Sequence, residues 1–150
     1  MGIDDQLETI RAELTAAQQH LDILRITMSK IEQAGMYPAI STEQWQRRNR
    51  SRTKYLYMLF RRRPSGGYQG PGGKRKVYVG AKPDRIAEAR RLAENRQRWE
   101  ELDSTVSLLK KWLTWQTHAI NSLADESKHW PRVDLGPEIA GAARPQSPNG

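Results

Sequence analysis

Nine residues, Ile3, Leu7, Ile10, Leu14, Ala17, Leu21, Leu24, Met28 and Ile31, recur alternately four and three positions apart. An a/d spacing held this long specifies an α-helix with one narrow apolar seam. Such a helix is marginal alone, so the rest of the chain has to supply something that covers the seam. Asp4 or Asp5 can cap its start, with Glu8 three residues after Asp5 in capping-box spacing. Gly35 supplies a left-handed stop, and Pro38 prevents resumption.

The covering partner is legible further on. Residues 84–126 read as a second long helix opened by Pro83-Asp84. From Trp99 the seam is again heptadic, through Leu102, Val106, Leu109, Leu113, Gln116, Ile120 and Leu123, with Trp112 and Trp115 broadening it. Two helices of similar seam length pair antiparallel within one chain or join two chains. Intramolecular pairing is favoured, with a homodimer formed through the helical seams, their remaining faces or Trp112 and Trp115. Gln116 at a seam position can fix register. The start of the second helix, with Ile86, Ala89, Leu92 and Ala93, extends past the paired region and needs the middle segment as its partner.

That middle segment reads as β-structure. Residues 55–60, YLYMLF, are aromatic and aliphatic, and 76–79, KVYV, form a second short strand ending at Gly80. Between them residues 64–73 hold five glycines and two prolines, the composition of a long mobile tip. Alternation puts Val77 and Val79 inside with Leu56, Met58 and Phe60; Tyr55, Tyr57, Arg61, Arg63, Lys74, Lys76 and Tyr78 then face outward. Residues 45–52 read equally as a third strand or as a short helix capped by Ser41. The fold class is therefore α+β and mostly helical. Two heptad-patterned helices, 3–35 and 84–126, flank a basic β-hairpin or small antiparallel sheet within 36–83. The proline-rich residues 127–150 read as a disordered tail.

Charge is segregated along this framework. The net charge is +8, yet residues 44–83 contain no acid and carry 12 positive charges, leaving 13 of the 25 basic residues against 17 acidic ones elsewhere. A cationic module between mildly acidic helices is the footprint of a polyanion-binding surface. With no cysteine in the chain, thiolate metal sites and disulfides are excluded. His20, His118 and His129 have no metal-ligand spacing, and no nucleophile or nucleotide-loop motif occurs. In GGYQGPGGKRK, Tyr68 stands where a P-loop needs its first glycine and Arg75 where it needs a hydroxyl. No enzymatic activity and no cofactor are expected. No apolar run approaches a membrane span, and the start MGIDDQLE carries no signal-peptide pattern. A cytoplasmic, nucleoid-associated protein is expected.

Residues 55–99, YLYMLFRRR…GKRKVYVGAKPDRIAEARRLAENRQRW, resemble the arm-type β-sheet DNA-binding module of tyrosine recombinases. They also resemble small uncharacterised bacterial proteins linked to mobile elements. The matching positions are Tyr55, Tyr57, Arg61, Gly73-Lys74-Arg75, Gly80 and Ala87-Glu88-Ala89-Arg90. The tip loop is longer than the family's tight turn. The resemblance implies a DNA-binding fold and says nothing for strand cleavage.

Taken with the charge, the expectation is a non-enzymatic nucleic-acid-binding protein, DNA favoured over RNA, possessing a basic ribbon on a helical scaffold. The residues expected to carry it are Arg47, Arg48, Arg50, Arg52, Lys54, Tyr57, Arg61, Arg62, Arg63, Lys74, Arg75, Lys76 and Tyr78. Two alternatives stay open. One is RNA binding dominated by stacking. The other is a coiled-coil scaffold that engages an acidic protein.

Overall fold

The computed structural model describes residues 2–128. The element order is α1 (Ile3–Ala34), β1 (Ser41–Arg47), β2 (Lys54–Phe60), a short 3-10 turn (Pro71–Gly73), β3 (Lys76–Gly80) and α2 (Pro83–Lys128). The chain is thus α+β: two helices with a small three-stranded antiparallel sheet between them. The expected tail lies, from residue 129 onward, outside the described residues.

The chain divides into two compact units. One is His20–Leu108; the other comprises the described parts of Met1–Gln19 and Leu109–Gly150. In each, the less exposed helical positions are largely the heptad ones. Within the first unit Leu21, Leu24, Met28, Ile31 and Val106 are buried. The end of α1 and the start of α2 run antiparallel there. The Trp99 indole donates to Glu32 at 2.9 Å, Arg91 to the Ala34 carbonyl at 2.8 Å, and the Asn95 amide to the Gly35 carbonyl at 2.8 Å. The last two bonds satisfy carbonyls that the end of α1 leaves without helical partners.

Helix boundaries follow local chemistry. α1 begins earlier than Asp4 or Asp5 capping implies: Gly2 precedes the helix, and its amide donates to the Asp5 carboxylate at 3.4 Å. Asp5 is therefore the reaching partner of a capping box rather than the cap. At the other end Gly35 takes φ +99 and donates to the carbonyls of Ile31 and Glu32, both at 3.1 Å. A side chain there would be strained and would meet Leu92 at 3.3 Å. Pro83 opens α2, and the Ile86 amide closes its first turn on the Lys82 carbonyl at 3.0 Å.

The sheet has order β1-β2-β3. Residues 41–47 form the third strand, so the segment 45–52, read as strand or short helix, is strand only as far as Arg47 and turns from residue 48. Its register opposes Ser41 to Phe60, Glu43 to Met58 and Trp45 to Leu56. One sheet face is covered. Leu56, Met58, Phe60 and Val79 form a core with Tyr37, Ala39 and Ala89, and Val77, Ile86, Leu92 and Ala93 pack against it. The early turns of α2 thus find their partner in the sheet. Leu56 and Met58 are essentially solvent-free, each contributing roughly 1.5–3 kcal/mol by burial. Tyr37 meets Phe60 edge-on at 5.4 Å between ring centres. Burial, and next the Glu88 carboxylate, push the Tyr37 phenol above its ordinary value.

Candidate nucleic-acid interface

Strand alternation sends every second side chain of the sheet away from the core. The registers align Gln44 with Tyr57, Gln46 with Tyr55, Tyr57 with Tyr78 and Leu59 with Lys76. The uncovered face is therefore a tyrosine patch with polar and cationic edges. Tyr57 and Tyr78 lie 5.3 Å apart and Tyr55 and Tyr78 6.2 Å apart, in tilted arrangements. The Lys76 ammonium sits 4.8 Å over the Tyr57 ring, and the Arg48 guanidinium 4.9 Å over the Tyr78 ring. These cation–π contacts hold two positive charges against the aromatic surface. Tyr78 keeps 44% of its surface exposed.

The ends of this face are cationic. At one end residues 48–53 turn from β1 to β2, with Asn49 at φ 53, a conformation asparagine tolerates. Arg48, Arg50 and Arg52 are all exposed on that turn. At the other end lies the glycine-rich tip, which is folded rather than an open loop. Gln69 donates to the Arg61 carbonyl at 2.9 Å, Arg63 to Gly67 at 2.8 Å and Gly73 to Gly70 at 2.9 Å. Arg62 bridges to Tyr68, and Arg62, Lys74 and Arg75 are exposed there. β2 spans seven residues, so the two cationic ends stand roughly 20 Å apart.

Not all of the expected residues join this face. Arg47 and Lys54 oppose each other at the strand ends, with the alternation of the covered face. Arg61 and Arg63 do not stand outward beside the tyrosines as alternation from β2 implied. They line a cleft of about 500 Å³ with Pro38, Ala39, Ile40, Gln69, Arg96 and Glu100. The strand ends at Phe60, and the bridge from Arg62 to Tyr68 redirects the chain, so the two-residue alternation does not carry past it.

The one acid within the strands, Glu43, is engaged elsewhere. Glu43 stands with the covered side and takes two bonds from Arg90, at 2.8 and 3.3 Å. That hydrogen bonding holds its carboxyl below the ordinary value, and Arg90 is raised correspondingly. Sequence reasoning gave neither Arg90 nor Arg96 a place among the site residues. Both sit on α2, and their surroundings become visible only once the helix is docked. Among the described residues no cluster of three His, Cys, Asp or Glu side chains suits a metal ion, and no helix is long and apolar enough to cross a membrane. No protein-family model, curated protein or solved structure matches the chain.

Proposed function

We propose that the chain is a non-enzymatic nucleic-acid-binding protein that lays the open face of its sheet into the major groove of double-stranded DNA. The observation that supports this is the acid-free tyrosine face, carrying Lys76 and Arg48 and ended by two arginine-bearing turns. Three strands about 4.8 Å apart make a ribbon roughly 10 Å wide, which suits a groove about 12 Å wide. Lys76 and Arg48 then lie nearest the base edges. Arg50, Arg52, Arg62, Lys74 and Arg75 reach the phosphates on either side and supply affinity without sequence information. The resemblance to arm-type modules adds the rest of the proposal: an accessory or regulatory role beside a mobile element, with nucleoid association. The exposed Trp112 and Trp115 support a homodimer that presents two ribbons.

The test is equilibrium binding of the purified protein to a duplex across a salt series. We expect log Kd to rise steeply with log salt, by about 0.9 per phosphate neutralised. Replacing Arg50, Arg52, Lys74 and Arg75 with Ser should flatten that slope by roughly one for each phosphate no longer reached. No duplex binding at moderate salt overturns the proposal. The exposed ring of Tyr78 favours one second reading, RNA recognition by stacking. It predicts that structured RNA outcompetes the duplex and that Tyr78→Ala costs more than Lys76→Ser.

A further inference from the structure

The cleft that receives Arg61 and Arg63 is chemically unlike the tyrosine face. Its volume is about 500 Å³, within the usual range for small-molecule pockets. Arg96 is held in place there. Its Nε donates to Glu100 at 3.0 Å, Nη2 bonds the same carboxylate, and the guanidinium stacks 4.6 Å over Trp99. Only 16% of the Arg96 side chain is exposed, and its Nε and Nη2 are the atoms that bond Glu100. The Arg61 and Arg63 side chains make no hydrogen bond or ion pair among the described residues, and neither does the Gln69 side-chain amide. Three arginines therefore line one cleft with a single acidic residue, Glu100, a surplus of two positive charges. Pro38, Ala39 and Ile40 form an apolar wall beside them.

We infer that this cleft binds a phosphate monoester, a nucleoside monophosphate or the 5′-phosphorylated end of a nucleic-acid strand. Planar guanidinium forks match phosphate oxygens in pairs, which a lysine cluster does not. The surplus of two charges suits the dianion of a monoester; a backbone diester brings only one. The apolar wall gives the organic part of the ligand a surface, with the Gln69 amide beside it. Arg96 is already oriented by Glu100 and Trp99, so little side-chain freedom is lost on binding. The cleft uses none of the tyrosine-face residues, and its ligand binds whether or not that face grips DNA.

The experiment is calorimetric titration of the full chain, at about 150 mM salt so that diffuse attraction is screened, with five ligands. They are inorganic phosphate, a nucleoside monophosphate, the matching nucleoside, and one short oligonucleotide with and without a 5′-phosphate. Saturable one-to-one binding of a phosphate-bearing member, with no binding of the nucleoside, is the expected result. The tighter of the mononucleotide and the phosphorylated strand identifies the source of the group. Arg61→Ser with Arg63→Ser should weaken that binding at least about tenfold, whereas Lys110→Ser, at an exposed position of α2 outside both the cleft and the sheet face, should leave it unchanged. Arg61→Lys with Arg63→Lys keeps charge and solubility and should still lose affinity, because the forks are gone. The proposal fails if no phosphate monoester binds at millimolar concentration. It fails equally if the lysine variant binds as tightly as the parent, or if the oligonucleotide binds alike with and without its 5′-phosphate and no mononucleotide binds.

Discussion

At Gly70 the demand on the residue is spatial. Its φ of −72 suits any amino acid, but a Cβ there would lie 2.2 Å from the Lys74 carbonyl and 2.7 Å from the Phe60 ring. The residue is buried where the tip folds back over the end of the core. Gly70→Ala should therefore destabilise the protein by about 1–3 kcal/mol, as overpacking does; urea denaturation reads this directly, and Gly66→Ala, which meets no atom within 4 Å but has φ +96, serves as the purely conformational comparison. Ser41 makes the opposite case. Its hydroxyl oxygen is buried without a hydrogen-bond partner among the described residues. Desolvating a polar atom without recompense is unfavourable, so Ser41→Ala should leave stability unchanged or raise it by roughly 1 kcal/mol. A loss of stability in the same denaturation assay would show that the hydroxyl has a partner.

At the scale of elements, the outer strand β1 is tied to α2 by the Glu43–Arg90 pair. The Glu43 carboxyl is held below its ordinary 4.5, mainly by the hydrogen bond from Arg90. A carboxyl lowered on folding contributes stability that is fully present above its unfolded value and is lost as pH falls through its folded one. Arg90 stays charged throughout. Glu43→Gln should then melt below the parent at pH 7, and the gap should close as the pH falls below 4.5 and through the lowered folded value. A gap that persisted in acid would assign the loss to packing instead of charge. The same strand shows where reading the sequence stops. The helix seams and the inner set Leu56, Met58 and Phe60 were legible because burial repeats with the period of their element. β1 was not, because it borders the sheet with polar residues on both faces, and Trp45, its sole large apolar residue, is still 41% exposed. Its pairing rests on backbone hydrogen bonds, which leave no side-chain period. The cleft was hidden for a different reason. Arg61 and Arg96 are 35 positions apart in the chain, and only the docking of α2 on the sheet brings them to one wall.

For the molecule as a whole, the seams decide what is left for a partner. Heptad positions such as Leu24, Met28, Val106 and Ile120 are buried within the single chain, so dimerisation does not need them. What remains outside includes Trp112 and Trp115, 39% and 66% exposed, rather than broadening the buried seam as their flanking positions implied. They stand three residues apart on α2, on one side of the helix. Two tryptophans burying about 150–250 Å² each at full cover are a substantial share of the roughly 800 Å² that a stable interface buries per partner. If the proposed homodimer forms here, light scattering across a concentration series should give twice the chain mass at micromolar protein. Trp112→Ser with Trp115→Ser should return the chain mass with helicity unchanged by circular dichroism, since neither tryptophan is among the buried core residues. The variant should also bind duplex DNA more weakly and with a shallower salt dependence, because one ribbon in place of two neutralises about half the phosphates. Monomeric mass for the parent up to about 100 μM would remove the dimer, and the proposed duplex binding would then rest on a single ribbon per complex.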